Sequence, residues 1–258
     1  MAFDISVNLE YMFHEAGDRL EDRIATAAQA GFTKVEMFTT AGRDVPSLAR
    51  ALADNGAEML TMVVDPRTRL IDPETHAGFR DLFTKAAQDA VALGCRRLVV
   101  GSGPGAPYMK RAVQLRIVAD AVAGVVSIAE DHGLTIILEA VNTRVDHPGV
   151  LFSQTVDAVD VIRHVGSPRV RLLYDIYHSI AEGEDVQQML AQYAPLIEHV
   201  QVADLPGRGE PGSGTVDWAA MLTLLRQVGY VGAIGVECSP TCAPTAEALR
   251  HFSGLCRL

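Results

Sequence analysis

Short apolar runs alternate with longer amphipathic segments along the whole chain. Eight runs of four to seven residues are rich in Val, Ile or Leu, as expected of strands buried on both faces. They lie at residues 3–7, 34–38, 58–64, 97–100, 135–138, 170–174, 199–202 and 233–236. Strands that alternate with helices form one parallel sheet with right-handed crossovers, so the pattern predicts eight parallel strands.

The segments between these runs carry apolar residues at three- and four-residue spacing. We predict helices over 18–30, 44–55, 73–93, 110–132, 153–165 and 217–228. A glycine follows each of them, where a left-handed residue commonly ends a helix, and Asp18 is placed to cap the first. Eight βα units of about 33 residues predict a single closed (β/α)8 TIM barrel, with residues 1–258 as one domain. No side-chain motif recurs between units, which argues against a solenoid.

Composition excludes several classes of protein. The chain is 48% apolar and 21% charged, which is typical of a globular protein and not of a disordered one. A net charge of −10 argues against nucleic acid as a partner, because phosphates are bound by clustered Lys and Arg. The longest uninterrupted apolar stretches stop near ten residues, so we expect no membrane span. The N-terminal region lacks a basic segment, so we expect no secretory signal.

The four cysteines are few for a chain of 258 residues, so we expect reduced, packed thiols and a cytoplasmic location. Cys238 and Cys242 resemble half of a zinc site, but no second thiol pair accompanies them.

Oxygen-bearing side chains mark the ends of the last four predicted strands: Glu139, Asp175, Gln201 and Glu237. Side chains at strand ends share one rim of a (β/α)8 barrel, where active sites lie. Three carboxylates at that rim repel one another and lose hydration, and a divalent cation offsets both costs. Carboxylate and amide oxygens are a hard ligand set that suits Mg²⁺ or Mn²⁺, and Co²⁺ to a lesser degree. The alternative is that each residue only caps its strand or meets an arginine.

Three motifs around these residues are more specific than the strand ends alone. They are EAVNTRVDHPG at 139–149, YDIYH at 174–178 and HVQVADLPGRGEPGSG at 199–214. Together they resemble the hydroxypyruvate isomerase family, one of the xylose isomerase-like TIM barrels, which also include ketose 3-epimerases. A weaker similarity extends to residues 6–9 and 13–15.

The resemblance implies a role for each matching residue. Glu139, Asp175, Gln201 and Glu237 match the metal ligands, Glu139 and Glu237 also match the two carboxylates that move protons, and His178 and Arg208 match residues that hold substrate oxygens. The implied enzyme is a metal-dependent isomerase that converts hydroxypyruvate, or a similar keto acid or keto sugar, to its aldehyde isomer. The reaction passes through an enediolate, which a divalent cation stabilises as a Lewis acid. The implied partners are this small molecule and further copies of the chain, as a dimer or tetramer.

The same residues are compatible with other functions. A ketose 3-epimerase would remove and return the proton at one carbon, and a lyase would use the same enediolate chemistry. A non-catalytic barrel would only bind a sugar acid, but it has no need for two opposed carboxylates. A DNA-repair endonuclease on the same barrel would need a basic face and more histidine ligands, which the charge balance disfavours.

Single residues also have structural alternatives. His178 either belongs to the site or packs and satisfies a backbone carbonyl, and Arg208 either binds substrate or forms an ion pair with Glu210. Glu36 either joins the rim or pairs with a neighbour, and His199 either faces the site or is a structural histidine. We expect Asn142 to order the loop after the fifth strand and Asp204 to stabilise its own turn. The glycine-rich run 101–105 predicts a tight βα loop in preference to a phosphate site.

The sequence departs from the family at the walls of the pocket. The run 61–69 lacks the usual Asn or His, Ala140 replaces a common Pro, and Cys238 and Ser239 stand where an aromatic residue is usual. The reaction type is therefore better supported than the substrate.

Overall fold

Eight parallel strands close into a barrel in chain order in the computed structural model, which describes residues 2–64 and 68–258. The strands are β1 (Ile5–Asn8), β2 (Lys34–Met37), β3 (Glu58–Val63), β4 (Arg97–Val100), β5 (Thr135–Glu139), β6 (Val170–Asp175), β7 (Ile197–Val202) and β8 (Ile234–Val236). β8 pairs in parallel with β1, which closes the barrel. The predicted (β/α)8 barrel is confirmed, and no strand end is more than two residues from its predicted position.

Helices surround the barrel between successive strands. They are α1 (Leu20–Gln29), α2 (Val45–Asp54), α3 (His76–Ala92), α4 (Arg111–Ala123), α5 (Val126–Asp131), α6 (Thr155–Val165), α7 (Ile176–Glu182), α8 (Val186–Tyr193), α9 (Trp218–Gln227), α10 (Thr245–Ala248) and α11 (Arg250–Cys256). The segment predicted as one helix over 110–132 is two, with a turn at Gly124, because glycine is a weak helix former. The short helices α7, α8, α10 and α11 were not predicted, since none is long enough to show a clear helical period.

The predicted helix ends are confirmed and one predicted cap is wrong. Gly31, Gly56, Gly94, Gly133, Gly166 and Gly229 all have left-handed φ values, between 58° and 92°. Asp18 does not cap α1, because that helix begins one residue later, with Arg19 at the cap position.

The interior of the barrel is divided into an apolar and a polar half. Val99, Ile137 and Leu173 form a small buried cluster against Val63, separate from the main core between barrel and helices. The polar half is contributed by β1, β2, β3 and β7 and consists of Ser6, Glu36, Thr61, His199 and Gln201, all buried. The buried polar side chains therefore lie below one side of the barrel mouth.

The run Arg111–Asp131 is long and apolar enough to cross a membrane by length and composition, with a mean hydropathy of 1.7. In the structure its buried residues, among them Val118 and Val122, belong to the main core, and α4 packs against α6. The run is therefore hydrophobic because its buried side chains pack in the core between the helices and the barrel.

The four cysteines are free thiols. Cys95, Cys238 and Cys256 are buried as predicted, whereas Cys242 is exposed and corrects the expectation that all four pack in the core. Burial raises the pKa of Cys95 and of Cys256 to about 12, so these two thiols stay protonated at neutral pH.

Candidate active site

The residues predicted from the strand ends meet at the mouth of the barrel. Glu139 and Asp175 end β5 and β6, Gln201 is next to last in β7, and Glu237 follows β8 directly. A cavity of about 200 Å³ opens there, and its lining includes Glu139, His178, Gln201, Arg208 and Glu237. Asp175 lies at its edge, with one carboxylate oxygen 3.7 Å from Nε2 of His178.

Glu139 has a half-buried carboxylate to which none of the residues in the described ranges donates a hydrogen bond. Its loss of hydration and the negative charges of Glu237 and Asp175 raise its pKa well above the ordinary value, while Arg208 opposes the shift. A carboxylate in this state gains from a bound cation and can also take up a proton.

Glu237, in contrast, is held by three donors. One oxygen accepts from Nη2 of Arg208 at 2.5 Å, and the other accepts from Nδ2 of Asn8 at 2.9 Å and Nε2 of Gln201 at 3.1 Å. Burial raises its pKa even though the Arg208 guanidinium favours the ionised form. Asp175 adds to the increase because a second negative charge lies nearby.

Gln201 leaves one polar atom without a partner. Its Nε2 donates to Oε2 of Glu36 at 2.8 Å and to Glu237, whereas its buried Oε1 has no hydrogen-bond partner within residues 2–64 and 68–258. A buried carbonyl oxygen left unpaired costs about 1–3 kcal/mol, so such atoms commonly have a ligand.

The donor set fits a hard divalent cation. Ligand atoms of Glu139, Asp175 and His178 lie within 4.8 Å of one another, close enough to hold one ion, whereas Glu237 is not part of this group. The carboxylates of Glu139 and Asp175, together with the unpaired oxygen of Gln201, are oxygen ligands of the kind that Mg²⁺ and Mn²⁺ prefer.

His178 is oriented by Asn142. The backbone N–H and side-chain NH₂ of Asn142 both donate to Nδ1 of His178, at 3.2 and 2.7 Å, so the proton of the neutral ring is on Nε2. Burial lowers the pKa of His178 to about 4, although Asp175 opposes the shift. His178 is therefore a neutral ring with an N–H to donate, which suits a substrate oxygen better than a metal ion. The oxygen of Asp175 that faces away from this ring accepts from the backbone N–H groups of Tyr177 and His178.

Arg208 lies over the cavity in the left-handed conformation, with φ at 56°. Its guanidinium carbon is 5.1 Å from the ring centroids of both Tyr11 and Tyr177, which hold it by cation–π contacts. The suggested ion pair with Glu210 is wrong, because Arg208 pairs with Glu237 and Glu210 instead accepts from the backbone and hydroxyl of Thr241.

The remaining candidates have structural roles. Glu36 does not reach the rim but lies buried below it, where Nε2 of His199 is 2.8 Å from its carboxylate. Asn142 orders its loop by accepting from the N–H groups of Val145 and Asp146, and Asp204 accepts from its own turn and from the indole of Trp218. Both expectations are confirmed.

The departures from the family lie in the run 61–69 and just after β5 and β8. Residues 65–67 of the run 61–69 lie outside the described residues. The glycine run after β4 forms a loop that lines the cavity, and a Cβ on Gly103 would lie 2.1 Å from the carbonyl oxygen of Thr68. Close packing and a left-handed φ of 68° together account for glycine at this position.

Several residues that line the cavity were not named as site residues from sequence, among them Asn8, Tyr11 and His147. Asn8 ends β1 in the same way that Glu139 ends β5, so the strand-end criterion finds it when applied to the first half of the chain. Tyr11 and His147 lie in loops, where no periodic pattern indicates which side chains turn inward.

Comparison with known proteins places this geometry in a family. The sequence pattern of the xylose isomerase-like TIM barrel family matches residues 24–255. The chain is 30% identical to the hydroxypyruvate isomerase of Escherichia coli (strain K12), over 91% of this chain and 93% of that protein. It is 28% identical to the 2-oxo-tetronate isomerase of Cupriavidus necator, over 93% and 94% of the two chains. A solved structure, the family 2 AP endonuclease of Brucella melitensis, superposes with a TM-score of 0.90 at 27% identity and 98% coverage of each chain. The chain therefore belongs to the xylose isomerase-like TIM barrel family.

Proposed function

We propose that this chain is a metal-dependent isomerase that acts on a short 2-keto acid or keto sugar, closest to hydroxypyruvate isomerase. One observation carries the proposal: Glu139 and Glu237 share a cavity with a buried amide oxygen of Gln201 that has no partner in the described structure. Relatives named hydroxypyruvate isomerase and 2-oxo-tetronate isomerase support a keto acid as the substrate.

Glu139, Asp175, Gln201 and Glu237 are the proposed ligands of Mg²⁺ or Mn²⁺. When bound, the cation supplies Lewis-acid stabilisation of the negative charge that develops on the two substrate oxygens. His178 adds a neutral N–H donor for one of these oxygens. Arg208 offers a planar fork of donors, which suits a substrate carboxylate.

Glu139 and Glu237 are the proposed base and acid. One carboxylate removes a proton from the hydroxyl-bearing carbon, the other returns a proton to the neighbouring carbon, and the hydroxyl proton passes to the former carbonyl oxygen. A proton carrier works best when its pKa is near the working pH, and burial raises the pKa of both groups in that direction. No residue of the described ranges donates a hydrogen bond to the Glu139 carboxylate, whereas Glu237 accepts from three donors, so the two carboxylates have distinct environments.

Metal removal tests the proposal directly. We expect protein dialysed against EDTA to lose turnover of hydroxypyruvate and to recover it when Mn²⁺ is added. Mn²⁺ at 100 times its Kd should also stabilise the fold by about 2.7 kcal/mol, measured by thermal unfolding without substrate. Undiminished turnover in EDTA would contradict the metal-dependent mechanism. Stabilisation by Mn²⁺ and a sugar acid with no turnover of any substrate would favour the non-catalytic binder.

Incubation with a panel of substrates in D₂O distinguishes an isomerase from a 3-epimerase. Hydroxypyruvate and ketoses of four to six carbons are incubated with the Mn²⁺ form in D₂O, and the products are analysed by NMR. An isomerase gives an aldehyde product with deuterium at the carbon that receives the proton. Deuterium at C3 of a ketose without aldehyde formation would identify a 3-epimerase instead.

Arg208→Lys tests the role of the guanidinium in binding a carboxylate. Lysine keeps the positive charge beside Glu237 but cannot make a two-point contact. Charge-assisted hydrogen bonds contribute about 1.5–3 kcal/mol, so we expect the KM for a keto acid to rise roughly 10- to 100-fold. A ketose without a carboxylate serves as the control substrate, and its KM should change far less. Equal increases for both substrates would show that Arg208 acts only through Glu237.

A further inference from the structure

Glu36 is a fully buried carboxylate with four hydrogen-bond donors around it. Oε1 is 2.5 Å from Oγ of Ser6 and 2.8 Å from Nε2 of His199. Oε2 is 3.0 Å from Oγ1 of Thr61 and 2.8 Å from Nε2 of Gln201. A carboxylate has about four acceptor sites, so these donors use its full capacity. Glu36 is therefore not itself free to bind a cation or a substrate.

We propose that Glu36 is a positioning residue that fixes the amide of Gln201 so that its oxygen, and not its nitrogen, faces the cation. This inference rests on the proposed function, since it assigns Gln201 as a metal ligand. An ionised carboxylate only accepts hydrogen bonds, so Glu36 must face the NH₂ end of the amide. The second N–H of the same group is used by Glu237, 3.1 Å away.

A rotated amide would be unfavourable at both contacts. It would place the carbonyl oxygen of Gln201 against the carboxylates of Glu36 and Glu237, and it would expose an NH₂ group with no lone pair to the cation. Among the four proposed ligands, Gln201 alone is an amide. Both oxygens of a carboxylate can bind a cation, whereas an amide binds only through its oxygen, so only Gln201 needs to be held in one orientation. Partners behind the ligands set ligand orientation in this way in many metal sites.

Gly235 provides an independent observation for this role. A Cβ on Gly235 would lie 2.3 Å from Oε1 of Glu36, 2.8 Å from Nε2 of His199 and 3.0 Å from Cγ of Gln201. Its φ is outside the left-handed region, so space and not backbone conformation accounts for the glycine. Strand β8 thus lacks a side chain at the place that the carboxylate and the Gln201 stem occupy.

A role in packing alone does not account for a buried charge. The opposite half of the barrel interior is filled by Val99, Ile137 and Leu173, and well-packed apolar residues commonly replace a buried ion pair without loss of stability. The charge at position 36 is placed where it contacts a proposed ligand.

The test measures metal affinity without substrate. Mn²⁺ is titrated into metal-free wild type and Glu36→Gln, and the Kd is measured by EPR of free Mn²⁺. We expect Glu36→Gln to bind Mn²⁺ about 10- to 100-fold more weakly, because glutamine at position 36 can present its own NH₂ and allow Gln201 to rotate. Glu15→Gln is the matched control, since Glu15 accepts from the backbone and hydroxyl of Thr245 and does not contact Gln201. Its Kd should stay within about twofold of wild type.

Three outcomes of the Mn²⁺ titration would overturn the inference. Folded Glu36→Gln with the wild-type Mn²⁺ affinity, or an equal loss of affinity in Glu15→Gln, would show that Glu36 does not position the ligand. A wild type that binds no Mn²⁺ would overturn the metal-dependent function as well, which separates the two failures.

Neutron diffraction from crystals of wild type keeps the inference testable if Glu36→Gln does not fold. In exchanged crystals we expect two deuterium atoms on the Gln201 atom between Glu36 and Glu237. The opposite orientation, with oxygen toward Glu36, would overturn the inference.

Discussion

Replacing Glu139 or Glu237 with glutamine is expected to abolish turnover and to leave the barrel folded. Each substitution removes a proton carrier and weakens a proposed metal ligand while keeping the size of the side chain. Loss of general acid–base catalysis alone reduces kcat by about 10²- to 10⁴-fold. The measurement is steady-state conversion of hydroxypyruvate with saturating Mn²⁺, together with circular dichroism to confirm the fold.

Although Glu139→Gln should lose activity, its thermal stability should increase. Folding raises the pKa of Glu139 above its ordinary value of 4.5, so ionisation of this group works against folding. The penalty grows as the pH rises above about 4.5 and is complete above the folded pKa. Glu139→Gln removes it, so the metal-free variant should unfold at a higher temperature than wild type at pH 7. A gain of about 1 kcal/mol corresponds to roughly 2–4 °C in a protein of this size.

Glu139 and Glu237 differ in their other contacts, so Glu139→Gln and Glu237→Gln should differ in thermal stability. Glu237→Gln also removes the ion pair with Arg208, so its gain in thermal stability should be smaller than that of Glu139→Gln. Glu130→Gln, at an exposed position in α5, is the control and should keep wild-type activity and stability. Full turnover in Glu139→Gln or in Glu237→Gln would refute the paired-carboxylate mechanism.

The barrel could be predicted from sequence because its strands are buried on both faces. Continuous apolar runs are local signals that occur in all eight units, and helix-ending glycines follow the six predicted helices. Local signals failed where helices are short, as in α7, and where a helix begins one residue away from a plausible cap, as at Asp18 and Arg19.

The candidate site could be predicted only where its residues end strands. Glu139 and Glu237 are 98 residues apart, yet the parallel barrel brings both to one rim, so fold and position together predict the cluster. The network around Glu36 could not be predicted, because its choice between rim and interior depends on partners in β1, β3 and β7.

Contacts between the loops at the rim could not be predicted from sequence either. Glutamate accepts from both the backbone N–H and the hydroxyl of one threonine at four places: Glu15 with Thr245, Glu182 with Thr143, Glu184 with Thr155 and Glu210 with Thr241. These pairs join loops or helix ends that lie 29 to 230 residues apart in sequence. No spacing rule predicts them, although they hold the loops that surround the cavity.

Gly235→Ala is the second substitution with a large expected effect. A methyl group at this position would overlap Oε1 of Glu36, so the carboxylate, His199 or strand β8 must move. Overpacking a core costs about 1–3 kcal/mol, and separating a buried charge from its partner costs about 3–5 kcal/mol. We expect Gly235→Ala to lower the free energy of unfolding, measured by urea denaturation, by about 2 kcal/mol or more and to weaken Mn²⁺ binding.

Two further variants show whether the clash with Glu36 is the cause. Gly254→Ala is the control, because Gly254 lies in α11 with no atom near an added Cβ, and it should be neutral or stabilising by about 0.5–1 kcal/mol. Glu36→Asp, added to Gly235→Ala, withdraws the carboxylate by one methylene and should recover part of the lost stability. It should not recover Mn²⁺ affinity, because the shorter side chain no longer reaches Gln201. Wild-type stability in Gly235→Ala, or no recovery in the double variant, would show that the space beside β8 is not reserved for Glu36.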